Sequence, residues 1–418
     1  MAFNITAAAP DPALLDLPWD LPLEQWPADV VAALPRGISR HVVRFVKLSG
    51  RVLAVKEIAP RAAHHEYRML RALSGLDVPA VTPVGVVAGR TDRSGDPLDA
   101  ALITQHLQFS LPYRALFANT LVPDTASRLL DALVALLVRL HLGGFYWGDV
   151  SLSNTLFRRD AAAFAAYLVD AETGELHAEL TEGQRLYDVD LARTNIIGEL
   201  MDLEAGNRLE PDTDPVAVGD DLLARYLRLW AALTEEETVF GNAKWQVAAR
   251  IGELNRLGFD VGELSMVGDE TGTALKIQPK VVEPGHHARR LLRLTGLNVQ
   301  ENQARRLLND MDAHRHELGL QDESEEFAAH DWVAHVFEPT IKAIPADLRG
   351  KLEPAQIFHE VQEHRWFMSQ QEGRYVPIAE AVQHYVDQVL RHRRDEASLI
   401  GVDTLSLPPV PDLPAPPP

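Results

Sequence analysis

Between residues 41 and 107 the hydrophobic period switches from two to 3.6 and back to two, and that order admits few folds. The runs HVVRFVKL (41–48) and VLAVKEI (52–58) flank SGR, with β-branched residues on both sides of a Gly-containing turn, so they predict a hairpin. In RAAHHEYRMLRALSGL (61–76), Ala62, His65, Met69, Leu70, Leu73 and Leu76 recur at helical spacing and Gly75 closes the segment. TPVGVVAG (82–89) and DAALITQHL (99–107) then read as two more strands across the loop RTDRSGDP. The expectation is a small sheet with one helix, β-β-α-β-β.

The chain then turns helical. Pro123-Asp124-Thr125 opens DTASRLLDALVALLVRLHL, and Gly143-Gly144 end it. Two short strands follow, NTLF (154–157) and FAAYLVD (164–170), and helices fill the stretch from 181 to about 233. A further unit starts near 235 with KWQVAARIGELNRLG. A strand pair comes next, DVGELSMVGDE and TALKIQPKVV, and helices run over 285–397. The expected organisation is an irregular arm (1–34), a β-rich lobe (35–110), a helical lobe (111–233), a mostly helical domain with a small β-hairpin (234–400) and a disordered Pro-rich tail (401–418). The fold class is α+β.

Length supports more than one core, since 418 residues exceed what one usually serves. With no cysteine, disulfides, thiolate metal sites and cysteine nucleophiles are excluded. Sixty acidic against forty basic side chains leave a net charge of −20, which argues against nucleic acid as a partner. The first twenty residues lack a basic stretch and the longest apolar run, ALVALLV (132–138), is too short to span a bilayer, so a cytoplasmic protein without an integral membrane segment is expected.

Three small polar residues sit at the rims of the two short strands: Asp149 and Asn154 in GDVSLSN, and Asp170 in LVDAETGE. Carboxylate and amide oxygens are the hard ligands that Mg²⁺ takes. Upstream, VLAVKEI carries Lys56 and the following helix carries Glu66.

This arrangement resembles the protein-kinase-like phosphotransferases, with a bilobal fold. The stretch AVKEIAPRAAHHEYRMLRALSGLDVPAVTPVG looks most like their bacterial lipopolysaccharide-kinase-like branch. The resemblance covers roughly residues 35–230. It implies ATP and Mg²⁺ as cofactors and a hydroxyl-bearing acceptor. Lys56 would hold the α- and β-phosphates and Glu66 would hold Lys56 forward. Asp149 would orient the attacking hydroxyl, and Asn154 and Asp170 would bind the metal.

Departures from the pattern are specific. The glycine-rich phosphate loop is reduced to LPRGISRHVVRF, where Gly37, Arg36 and Arg40 are left to meet the nucleotide, with Gln105 at the end of the 99–107 strand. Trp147 stands where a histidine often precedes the aspartate, and AETG follows Asp170 as in small-molecule phosphotransferases, which implies Glu172 as an auxiliary metal-site acid.

Plainer explanations compete. Lys56 and Glu66 are also what an exposed strand and a solvated helix carry, and Asp and Asn favour turns through bonds to their own backbone. HEVQEH (359–364) has its histidines five apart, so they diverge by about 140° on a helix instead of sharing a metal. The basic residues Arg289, Arg290, Arg293, Arg305 and Arg306 read as solvated helix faces, and HRWFMSQ (364–370) as packing. Two functions stay open at this point: an active phosphotransferase, and an inactive kinase-like scaffold acting through a protein partner of residues 234–400.

Overall fold

The computed structural model describes residues 3–8, 10–32, 41–113, 116, 123–210, 213–235, 237–240, 244–256, 259–268, 274–393 and 395–396. Arg36, Gly37 and Arg40 lie outside the described residues, as does the Pro-rich tail.

The small lobe is a five-stranded antiparallel sheet in the order β1-β4-β5-β3-β2. Its strands are β1 (Asn4–Ala7), β2 (Val42–Leu48), β3 (Arg51–Ile58), β4 (Pro83–Ala88) and β5 (Ala100–Gln105), with helix α1 (Pro60–Gly75) between β3 and β4. Side chains alternate across the sheet, so each strand feeds two layers. Ile58, Ala100 and Leu102 join α1 in the main core. Leu53, Val55, Ala101 and Ile103 face the other way, onto Leu14, Trp19, Leu23 and Trp26 of the N-terminal arm. The arm is therefore more ordered than its Pro- and Asp-rich composition suggests. It adds edge strand β1 and covers the sheet face opposite α1. Buried Arg90 ties it down by donating to Trp19 O (3.1 Å) and to Glu57 Oε1 (2.9 Å).

The large lobe follows. After β6 (Ser110–Pro112), α2 (Pro123–Leu142) is the central apolar helix, and β7 (Phe145–Tyr146) leads into the hairpin of β8 (Thr155–Asp160) and β9 (Ala163–Leu168). Beyond β10 (Glu175–Leu176) lie α3 (Glu182–Ala205), opened by a Thr181/Gln184 capping box, and α4 (Pro215–Thr234), capped by Asp214. Phe145, Trp147, Leu168, Ile196, Leu200 and Tyr226 are buried together with α2. The chain is thus a mixed α and β molecule with a β-rich first lobe and a helical second one.

The C-terminal part, from residue 237, holds a three-stranded sheet, one strand more than the sequence pattern suggests: β11 (Glu237–Phe240), then, after α5 (Lys244–Arg256), β12 (Phe259–Gly268) and β13 (Ala274–Pro284). Among the described residues six α-helices follow: α6 (His286–Thr295), α7 (Glu301–Glu317), α8 (Glu325–Trp332), α9 (Glu338–Ala343), α10 (Pro354–Glu372) and α11 (Ile378–Gln388). A π-turn over Val333–Phe337 joins α8 to α9. Leu291, Leu308, Met311, Trp332, Phe337 and Phe358 form their core. Arg290 and Arg306 of the basic run pair with Glu325 and Glu363. His359 meets Glu363 and His364 meets His384, so HEVQEH does not converge. Among the described residues no helix is long and apolar enough to cross a membrane.

Candidate active site

Lys56 is central in β3, paired on one side with Val43 of β2 and on the other with Leu102 of β5. Its face of the sheet looks toward α1 and the large lobe. There Nζ donates to Glu66 Oε2 at 3.0 Å and to Asp170 Oδ2 at 2.7 Å, with Glu172 Oε2 at 3.8 Å. Glu66 is buried on α1, and Asp170 sits two residues past β9, so strand, helix and hairpin end meet at one ammonium.

Electrostatics follow from this crowding. Burial, then the charge on Asp170, pushes the Glu66 carboxyl up to about 7 against the pull of Lys56. Burial opposes the charge on Lys56, but Glu66 and Asp170 outweigh it and hold its pKa above the ordinary lysine value. Three carboxylates thus surround one ammonium, and of these Glu66, with least access to water, bears the cost.

Asp149 and Asn154 form the second half of the cleft. Asn154 Nδ2 donates to Asp149 Oδ2 and to Asp149 O, both at 3.0 Å, which commits its amide nitrogen and leaves its oxygen as the ligand atom. Val169 N donates to Asn154 O (3.0 Å), so Asn154 and Asp170 flank the open end of one hairpin.

The two loops are stitched together. Trp147 Nε1 donates to Asp170 O (2.7 Å), Thr173 Oγ1 donates to Trp147 O (2.8 Å), and Glu172 N caps Asp170 Oδ1 (2.9 Å). Trp147, only a departure from pattern in the sequence, is therefore the donor that joins the Asp149 loop to the Asp170 loop. Gly148 sits at φ 77°, where an added Cβ would press on Tyr146 and on Thr173 O.

Helix α3 supports this loop along one stripe. Buried Asp188 accepts from Trp147 N (2.9 Å) and Gly148 N (2.8 Å), Asn195 Nδ2 donates to Val150 O (2.9 Å), and Glu199 accepts from Leu152 N (2.7 Å) and Ser153 N (3.0 Å). Offsets of seven and eleven residues return within about 20° on a helix, so all three point one way. His141 Nε2 meets Asp188 Oδ2 (3.1 Å) and its Nδ1 meets Tyr226 Oη (2.6 Å). Because Asp188 accepts, Nε2 carries a hydrogen. Asp188, Asn195 and Glu199 were legible only as a D-x6-N-x3-E stripe on the helix after the loop. His41 and His65 carried no signal: His41 Nε2 lies 3.1 Å from Glu172 Oε2, and His65 Nε2 lies 2.7 Å from Gly174 O, fastening α1 to the Asp170 loop.

Gln105 is not brought to this cluster. It pairs with Leu53, which lies an odd number of residues from Lys56, so strand alternation puts it on the opposite face of the sheet. It lines a separate cavity of about 760 Å³, with Ser74, Arg139 and Arg158.

Whether the residues fit a metal can be judged from their donors. Asp170 and Asn154 offer oxygen only, and the surplus of carboxylates around Lys56 is what a divalent cation offsets. Among the described residues no three His, Asp or Glu form a metal cage of their own. Mg²⁺ at phosphates commonly takes one or two carboxylates and completes its shell from phosphate and water.

Comparison with known families follows the same outline. The model of a phosphotransferase enzyme family (APH) matches residues 30–238, half of the chain. The chain belongs to the phosphotransferase enzyme family. A domain of unknown function (DUF4032) matches residues 228–390, where an uncharacterised helical domain was expected. No curated protein matches significantly. Among solved structures, a chain described as WaaP in complex with acyl carrier protein is similar at 14% identity and a TM-score of 0.36, covering 61% of this chain and 99% of that one.

Proposed function

We propose that the protein is an ATP- and Mg²⁺-dependent phosphotransferase of the lipopolysaccharide-kinase-like type that moves the γ-phosphoryl group to a hydroxyl acceptor. The observation that carries this reading is the meeting of Lys56, Glu66 and Asp170 within 3.0 Å, beside the Asn154–Asp149 pair. Lys56 places positive charge where phosphate oxygens would lie, and Glu66 keeps it extended. Asp149 accepts the acceptor's hydroxyl proton as the new O–P bond forms and the bond to the β-phosphate oxygen breaks, with ADP leaving. Asn154 and Asp170 would hold Mg²⁺, with Glu172 beside them. The ion, when bound, neutralises charge on the transferring phosphates. Little covalent help is needed, since positioning and charge neutralisation dominate phosphoryl transfer.

Residues 35–110 and 111–233 act in this scheme as the two lobes and residues 234–400 as a helical cover. Single-turnover ATP hydrolysis on the full chain, on Asp149→Ala and on Asp170→Asn tests it. Loss of turnover in both variants, with folding retained, supports transfer; an equal background in all three supports an inactive scaffold.

A further inference from the structure

The β8–β9 hairpin has its two ends in different parts of the molecule. Its open end holds Asn154 and Asp170. Its closed end, Arg159–Ala162, is set among the C-terminal helices. Asp160, 3% exposed, accepts from Asn302 N (3.1 Å), Asn302 Nδ2 (2.9 Å) and Gln303 N (2.7 Å), the start of α7. Gln356 of α10 accepts from Ala161 N (3.1 Å) and donates to Ala161 O (3.3 Å). Arg159 Nε donates to Glu396 Oε1 (2.7 Å) in a buried pair, and Gln303 Nε2 donates to Arg159 O (3.1 Å).

A buried helix start needs acceptors for its first N–H groups, ordinarily from its own cap residue. At α7 a capping box of Gln300 and Gln303 is joined by the phosphotransferase hairpin, whose Asp160 takes the Asn302 and Gln303 N–H groups. A buried polar network of this kind holds discrete geometries and does not slide, because each lost partner costs a desolvated group. The ladder from Thr155↔Leu168 to Asp160↔Ala163 is unbroken, about 17 Å of paired strand between tip and base.

We propose that the C-terminal helical unit fixes the positions of Asn154 and Asp170 through this hairpin, with Asp160 as the positioning residue that couples them. This rests on the cleft being the phosphoryl-transfer site. Coupling of this sort is reciprocal: a ligand that orders the base of the hairpin must also steady the start of α7.

The test uses the full chain, Asp160→Asn and Gln356→Leu, with ATP turnover titrated against Mg²⁺ and amide hydrogen exchange followed with and without Mg²⁺ and a non-hydrolysable ATP analogue. Each variant is expected to raise the Mg²⁺ needed for half-maximal turnover by about three- to tenfold, the scale of coupling carried between separated sites. KM for ATP at saturating Mg²⁺ should stay within about twofold, since Lys56 is untouched. In the wild-type chain the analogue should slow exchange at Asn302 and Gln303. Unchanged Mg²⁺ dependence in folded variants, or exchange at α7 indifferent to ligand, overturns the coupling. Should Asp160→Asn fail to fold, Gln356→Leu and the wild-type exchange decide. If the wild-type chain binds no Mg-nucleotide, the cleft assignment is what fails. Exchange at the Thr155 and Val169 amides then judges the coupling: faster in the variants upholds it, unchanged refutes it.

Discussion

Lys56 Nζ lies 2.7 Å from Asp170 Oδ2, a contact that joins strand β3 of the small lobe to the loop after β9 in the large one. The same nitrogen holds Glu66 at 3.0 Å. Replacing it with an uncharged side chain of similar length removes that positive charge and leaves three carboxylates crowded together. Lys56→Met is expected to weaken nucleotide binding and to lower turnover by about 10²–10³, the scale for losing one preorganised electrostatic partner. Calorimetric titration and a phosphate-release assay check the two effects. Turnover unaltered in the variant would remove Lys56 from the mechanism.

Glu66 makes stability depend on pH in an unusual direction. Its carboxyl is raised to about 7 in the folded chain from an ordinary 4.5, so between these values the native state holds a proton that the unfolded state has released. Its contribution is fully present below pH 4.5 and is lost as pH rises through about 7. His106, held down at about 4 by burial, contributes the opposite slope between 4 and 6.5. The comparison to make is therefore with Glu66→Gln. Thermal melting at stepped pH should show the wild-type chain losing ground to the variant from about 4.5 to about 7; parallel curves would contradict the assignment.

Mg²⁺ binding at Asp170 should also release protons near neutral pH, because its positive charge offsets the Asp170 carboxylate that holds Glu66 up. Titration calorimetry in buffers of different ionisation enthalpy reads this directly. The apparent enthalpy is expected to vary with buffer for the wild-type chain and to lose that variation in Glu66→Gln.

Asp149 and Asp170 should separate by phenotype. Asp149→Asn is expected to cut turnover by about 10²–10⁴, the range for a lost acid–base group, while nucleotide affinity holds. Asp170→Asn is expected to lose the Mg²⁺ dependence of binding as well. Equal effects of both variants on binding and turnover would argue against distinct roles.

Asp188 carries a structural expectation. Truncation to alanine strands the buried Trp147 N–H, at about 1–3 kcal/mol, and leaves the half-buried Gly148 N–H without its acceptor. Urea unfolding should show a lowered midpoint for Asp188→Ala, with Asp188→Asn intermediate because its amide oxygen still accepts one bond.

Much of this architecture is legible in the sequence where the signal is local. The hairpin around SGR, the helix bearing Glu66 and the strands flanking Asp160 each follow from a clean period, and β3, α1, β8 and β9 fall within a few residues of the pattern. The convergence of Lys56, Glu66 and Asp170 follows from motif order because each belongs to a recognisable element or its end. What escaped was long-range. The N-terminal arm looks irregular because its Leu and Trp residues are spaced by prolines, yet they cover a sheet face that only the tertiary fold creates. His41 and His65 gain meaning only through Glu172 and Gly174, more than a hundred residues away. The face on which Gln105 lies is not legible, because strand alternation fixes it only once the register with Leu53 is known. Asp160 reads as an ordinary turn residue, and nothing near it announces the helix it caps 142 residues later.

The most direct measurement is titration of the full chain with a non-hydrolysable ATP analogue, with Mg²⁺ and with EDTA in its place, beside Asp170→Asn. Saturable binding that needs Mg²⁺ and weakens sharply in the variant is the expected result. Absence of binding, or binding indifferent both to Mg²⁺ and to Asp170, would contradict the assignment of the Lys56–Asp170 cleft to a metal-nucleotide substrate.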